Sequence, residues 1–82
     1  MSIMIFYNDK NQIEELKKEI KKQKELNKKI SYYSAKSKVG REWVINSTPA
    51  FVFRTGEKTH YMIQGKMLPL KEVISIAKEF SV

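Results

Sequence analysis

The sequence predicts a small α/β domain built on a mixed four-stranded sheet, with elements in the order β-α-β, a short helix, then β-β-α. Three observations predict it. The run Ile3-Met4-Ile5-Phe6-Tyr7 is apolar without alternation, the pattern of a strand covered on both faces in the middle of a sheet. Apolar residues then recur at helical spacing at Ile13, Leu16 and Ile20. Finally, Pro49 stands at the mouth of a second apolar run, Ala50-Phe51-Val52-Phe53, where a residue without an N–H is tolerated as the opening of a strand.

Each element follows in turn. Ile3–Tyr7 is the central strand. Asn8 and Asp9 are both N-cap residues, and Asp9 with Gln12 three positions on forms a capping box, so a helix begins here. Its apolar stripe continues in polar form at Gln23 and Asn27, so the first half packs on the sheet and the second half overhangs it. Glu14 with Lys18 and Glu25 with Lys29 supply i,i+4 pairs. Ile30–Ser34 is a second strand, parallel to the first because a helix joins them, and alternation turns one of Tyr32 and Tyr33 to the core. Between Ala35 and Asn46 there is room for one short helix or turn, with Val39, Trp43 and Val44 inward. Ala50–Arg54 and Thr59–Ile63 form an antiparallel hairpin across a loop that holds Gly56. Pro69 suits the first turn of a last helix that runs to Phe80 with Val73, Ile76, Ala77 and Phe80 on one face.

Size and composition bound what such a chain does. Eighty-two residues make one domain, spanning residues 1–82, and 41% hydrophobic with 30% charged residues is the balance of a folded chain rather than a disordered one. No stretch approaches the roughly 18 apolar residues of a membrane helix, and the N-terminus lacks the layout of a signal peptide, so the expected location is the cytoplasm, away from membranes. Cysteine is absent, which excludes disulfides, thiol catalysis and thiolate metal sites. The net charge of +7 is concentrated: residues 10–41 hold eleven Lys and Arg against four Glu, whereas the remainder balances five against five. Lys10, Lys17, Lys21, Lys24 and Lys28 fall along one flank of the first helix. They make either a solvated face or a surface for an acidic partner.

The order of parts from Val44 to Phe80, with Thr48-Pro49 before a strand, a hairpin and an amphipathic helix, resembles the C-terminal half of the thioredoxin fold. That family's cis-proline loop carries Thr-Pro or a close variant. The resemblance extends in order of elements to nearly the whole chain and implies a minimal thioredoxin-like fold with a cis Thr48-Pro49 bond. It also implies that the backbone at Ser47, Thr48 and Pro49 pairs with an extended segment of a protein partner, a form of strand addition that needs no cysteine. Thioredoxin relatives carry a redox Cys-x-x-Cys at the start of the first long helix. Here that place holds Asp9, Lys10, Asn11 and Gln12, none of which is a thiol nucleophile.

The expectation is therefore a protein without catalytic residues, cofactor or metal, acting through the Pro49 groove or the basic helix. An anion site at the start of that helix is blocked by the Asp9 carboxylate in the capping position. Ser34-Ala35-Lys36-Ser37 has the spacing of a serine-substituted Cys-x-x-Cys but reads as a strand exit and a cap. His60 has no second ligand in sequence reach, Trp43 reads as core, and Met62 and Met67 read as packing residues. The alternative is a small nucleic-acid-binding or replication-associated accessory protein, with the lysine flank on phosphates and Tyr32, Tyr33 or Trp43 stacking on bases. Lys-, Ile- and Asn-rich usage suits an AT-rich genome such as that of a phage or mobile element. Self-association through the Thr59–Ile63 edge is a further expectation.

Overall fold

A computed structural model describes residues 2–56 and 60–80. It is an α/β domain on a four-stranded mixed sheet. Strand β1 (Ser2–Tyr7) lies inside the sheet, parallel to β2 (Ile30–Ser34) and antiparallel to β3 (Ala50–Arg54). Strand β4 (His60–Gln64) pairs antiparallel with β3, so the order is β2-β1-β3-β4. Both edges are short strands of five residues. The hairpin's second strand thus ends one residue later than its sequence suggests, and Thr59 lies outside the described residues. The element order and sheet are those expected and are consistent with a minimal thioredoxin-like arrangement.

The apolar run of β1 needs two cores because successive side chains point to opposite faces. Ile3 and Ile5, beside Phe51 and Phe53, are buried against Ile13, Leu16, Ile20, Leu68, Val73 and Ala77. These come from the turn that ends at Ile13, helix α1 (Glu14–Lys21), helix α4 (Leu70–Glu79) and the loop before α4. Met4 and Phe6, beside Ala50 and Val52, are buried on the other face against Tyr33, Val39, Trp43, Ile45 and Met62. Helix α3 (Lys38–Glu42) and the segment that follows it cover that side. Each large side chain withdrawn from water contributes about 1.5–3 kcal/mol, so the paired cores are the main source of stability.

Two cores also change the reading of the tyrosines. Instead of one facing inward and one outward, both are half-buried: Tyr32 packs on the first core and Tyr33 on the second, its ring 5.7 Å from that of Phe6.

The first helix is not one helix. A 3-10 turn at Lys10–Ile13 precedes α1, and the chain breaks at Lys22-Gln23 before α2 (Lys24–Lys28). Gln23 has φ −105° and ψ 85°, outside the helical region, and no side chain caps the new start. The physical reason is in the stripe: beyond Ile20 the core face would carry Gln23 and Asn27, which gain nothing from burial. Breaking the helix lets Leu26, off that stripe in a continuous helix, pack on the core. The Asp9–Gln12 capping box is present, with Asp9 Oδ1 accepting from the Asn11 N–H at 2.9 Å. Lys18 lies 3.7 Å from Glu14 as expected, and Glu25 lies 3.7 Å from Lys28.

Val44 is the clearest correction, because it points outward, 64% exposed, with φ 54°. Helix α3 ends in a Schellman motif: the Val44 N–H donates to the Arg41 carbonyl at 3.2 Å and the Ile45 N–H to the Gly40 carbonyl at 3.0 Å. That motif requires a left-handed residue after the cap, and Val44 occupies the place. Its neighbours Trp43 and Ile45 pack inward instead. Ser34 and Ser37 are a strand exit and a cap, the Ser37 hydroxyl accepting from the Gly40 N–H at 3.2 Å. Pro69 is the N-cap of α4 rather than its first helical residue, and its carbonyl accepts from Glu72 and Val73. Met62 packs on the second core, but Met67 is 40% exposed and does not pack as expected.

Candidate binding groove at the Pro49 loop

The loop before β3 is held from the far edge of the sheet. Gln64, the last residue of β4, reaches back so that its Oε1 accepts from the N–H of Asn46 at 2.7 Å and of Ser47 at 3.1 Å. Its Nε2 donates to the Met62 sulfur at 3.0 Å, which fixes the amide's orientation. The next residue, Gly65, has φ 75° and donates its N–H to the Pro49 carbonyl at 3.0 Å. A Cβ at Gly65 would lie 3.1 Å from the Ser47 Cβ, so both conformation and space call for glycine. Between these anchors the Thr48-Pro49 peptide bond is cis, as expected.

Thr48 is left over. Ser47 and Pro49 have partners, whereas no hydrogen bond among the described residues reaches the N–H or carbonyl of Thr48, which is half-buried. It lines a groove of about 280 Å³ with Asn8, Ala35, Lys36, Ile45 and Asn46. Four separate stretches meet there: the exit of β1, the exit of β2, the segment after α3 and the Pro49 loop. The Ala35 N–H donating to the Tyr7 carbonyl at 2.8 Å ties the first two together.

Asp9, Lys10, Asn11 and Gln12, where the resemblance expects a redox motif, do not line this groove. Asp9 and Gln12 are engaged in capping, and Lys10 and Asn11 turn to another depression. That second groove, about 460 Å³, lies between the first helical segment and β2 and is lined by Tyr7, Lys10, Asn11, Ile13, Glu14, Lys17 and Tyr32. Lys17 Nζ sits 4.8 Å from the centre of the Tyr32 ring. The Tyr32 hydroxyl is buried without a hydrogen-bond partner among the described residues, and burial pushes its pKa above the ordinary value.

The structure therefore divides the lysine flank. Lys10 and Lys17 come together at one groove, whereas Lys21 ends α1 and Lys24 and Lys28 lie beyond the break. All five are exposed. His60 is exposed and meets Trp43 edge to face at 5.1 Å, while Arg54 lies 5.6 Å over the indole. Among the described residues no group of three or more His, Asp or Glu is placed to hold a metal ion. No described helix is long and apolar enough to cross a membrane.

Of Ser47, Thr48 and Pro49, which the sequence singled out, Thr48 lines the groove, while Gln64, the outward turn of Val44 and the meeting of Tyr7 with Tyr32 at one groove were not foreseen. Gln64 carries no local signal, because a polar residue at the end of an edge strand is ordinary. Neither a protein-family model, nor a curated protein, nor a solved structure matches the chain.

Proposed function

We propose that the chain is a non-catalytic thioredoxin-like domain of the cytoplasm that binds an extended segment of a protein partner along the Thr48 groove. The observation that carries this reading is the Thr48 backbone. An N–H and a carbonyl that no described residue pairs, on a loop fixed on both sides, offer the two bonds by which a strand adds to an existing edge. Lys36 on the groove wall and the +7 charge favour a segment rich in Asp or Glu. Val44 supports the same reading. A branched apolar residue is exposed and left-handed two residues before the groove residue Asn46, where Gly or Asn would fit with less strain, and strain of this kind gathers at binding sites. The chain has no cysteine, so the partner is held rather than reduced.

Nucleic acid ranks second, because the break at Gln23 divides the face that would track phosphates. The test is selection of displayed linear peptides on the immobilised domain, followed by amide-shift mapping. Selected peptides should be acidic and extended, and should shift Thr48, Ala35 and Ile45. Shifts that avoid these three residues would sink the reading. A mixed-sequence oligonucleotide bound tightly with a steep salt dependence, and lost when Lys17, Lys21, Lys24 and Lys28 become Glu, would replace it with the second.

A further inference from the structure

We infer that the groove between the first helical segment and β2 is a separate site for a small planar aromatic anion, a ring that carries one carboxylate or phosphate. Tyr7, Tyr32 and Ile13 line it together with Lys10 and Lys17. At about 460 Å³ it falls within the range of small-ligand sites, which are apolar clefts with few, convergent polar groups.

Charge selects the sign of the ligand. Neither Lys10 nor Lys17 has a carboxylate partner among the described residues, whereas the one acidic wall residue, Glu14, is engaged by Lys18 at 3.7 Å. Two ammonium groups beside aromatic side chains, neither paired with a described carboxylate, attract an anion. The ring contact selects the rest of it. Lys17 now rests on the face of Tyr32, and a charge-assisted hydrogen bond to an anion outweighs an exposed cation–π contact. Lys17 would move to the anion, and the freed tyrosine face would take the ligand's ring. Tyr32 carries a second mark: its hydroxyl is buried and no described residue pairs with it, and the same residue lines this groove.

The site and the Thr48 groove have no lining residue in common, so each stands or falls alone. The experiment is amide-shift titration with adenosine monophosphate and with benzoate, against adenosine and inorganic phosphate as ring-only and anion-only controls. Saturable shifts at Tyr7, Asn11, Ile13 and Tyr32 are expected from the first two compounds alone. The double variant Lys10→Ala/Lys17→Ala should weaken them roughly tenfold, and the charge-matched Lys21→Ala/Lys24→Ala should leave them unchanged. All four lysines are exposed, so both variants should fold. The inference is overturned by the absence of saturation at millimolar ligand, by equal binding of either control, or by equal weakening in the two double variants.

Discussion

Gln64 holds Asn46 across eighteen residues of chain: its side-chain carbonyl accepts the Asn46 N–H at 2.7 Å, and the Ser47 N–H at 3.1 Å beside it. The end of an edge strand thereby sets the shape of a loop that pairs with no strand of its own. Replacing Gln64 by Ala removes both bonds at once. Each is worth about 0.5–1.5 kcal/mol net, toward the lower end because the groups are exposed, so a loss of roughly 1–2 kcal/mol is expected in urea unfolding. Amide exchange should accelerate at Asn46 and Ser47, while the β1 amides keep their protection. Unchanged exchange at the two loop amides would mean that the loop keeps its shape without Gln64.

Gly40 faces a different constraint. A Cβ there would run into the Ala35 carbonyl and lie 2.8 Å from the Ala35 Cα, both of them backbone that cannot swing aside. Gly40→Ala should therefore destabilise by about 1–3 kcal/mol, the range for overpacking a filled site. Gly56, with no described neighbour within 4 Å of its missing Cβ, is the internal control, and Gly56→Ala should stay within about 0.5 kcal/mol of the parent. Equal melting temperatures for the two variants would contradict the close approach of α3 to the exit of β2.

At Val44 the expected change is a gain. The left-handed conformation costs a β-branched residue on the order of 1–3 kcal/mol, and Asn enters that region far more readily. Val44→Asn should raise stability by about 1 kcal/mol, which is roughly 4–8 °C in a domain of this size. If the exposed valine serves the partner, the same variant should bind selected peptides more weakly. A more stable protein with weaker binding separates a contact residue from a purely structural one.

Tyr32 links pH to stability. Its hydroxyl resists ionisation in the folded state, so its folded pKa lies above the unfolded value of about 10. Above that pH the unfolded chain has released a proton that the folded chain still holds, and stability falls as pH rises. The contribution is whole below the unfolded value and is lost as pH climbs toward the folded one. Tyr32→Phe should abolish this part of the alkaline decline. It should also raise stability at neutral pH by up to about 1 kcal/mol, because a buried hydroxyl that no described residue pairs disappears. Parallel alkaline unfolding curves for parent and variant would refute the assignment.

What the chain determined by itself was everything written in local pattern. The unbroken run Ile3–Tyr7 demanded cover on both faces, Asp9 with Gln12 started a helical segment, and Pro49 opened β3 where a missing N–H does no harm. Such signals depend on a few neighbouring residues, and the structure keeps them. The tertiary structure alone decided where segments meet. The break at Gln23 arises because a core contact for Leu26 outweighs continuity of a helix whose next stripe residues are polar. Val44 turns outward because Trp43 and Ile45, on either side of it, are both drawn to the second core. Thr48 meets Ala35, and Lys10 and Lys17 meet Tyr32, only once β1 and β2 lie side by side. Long-range contact of this kind leaves no periodicity in the chain, because it is made by packing that no short window of residues contains.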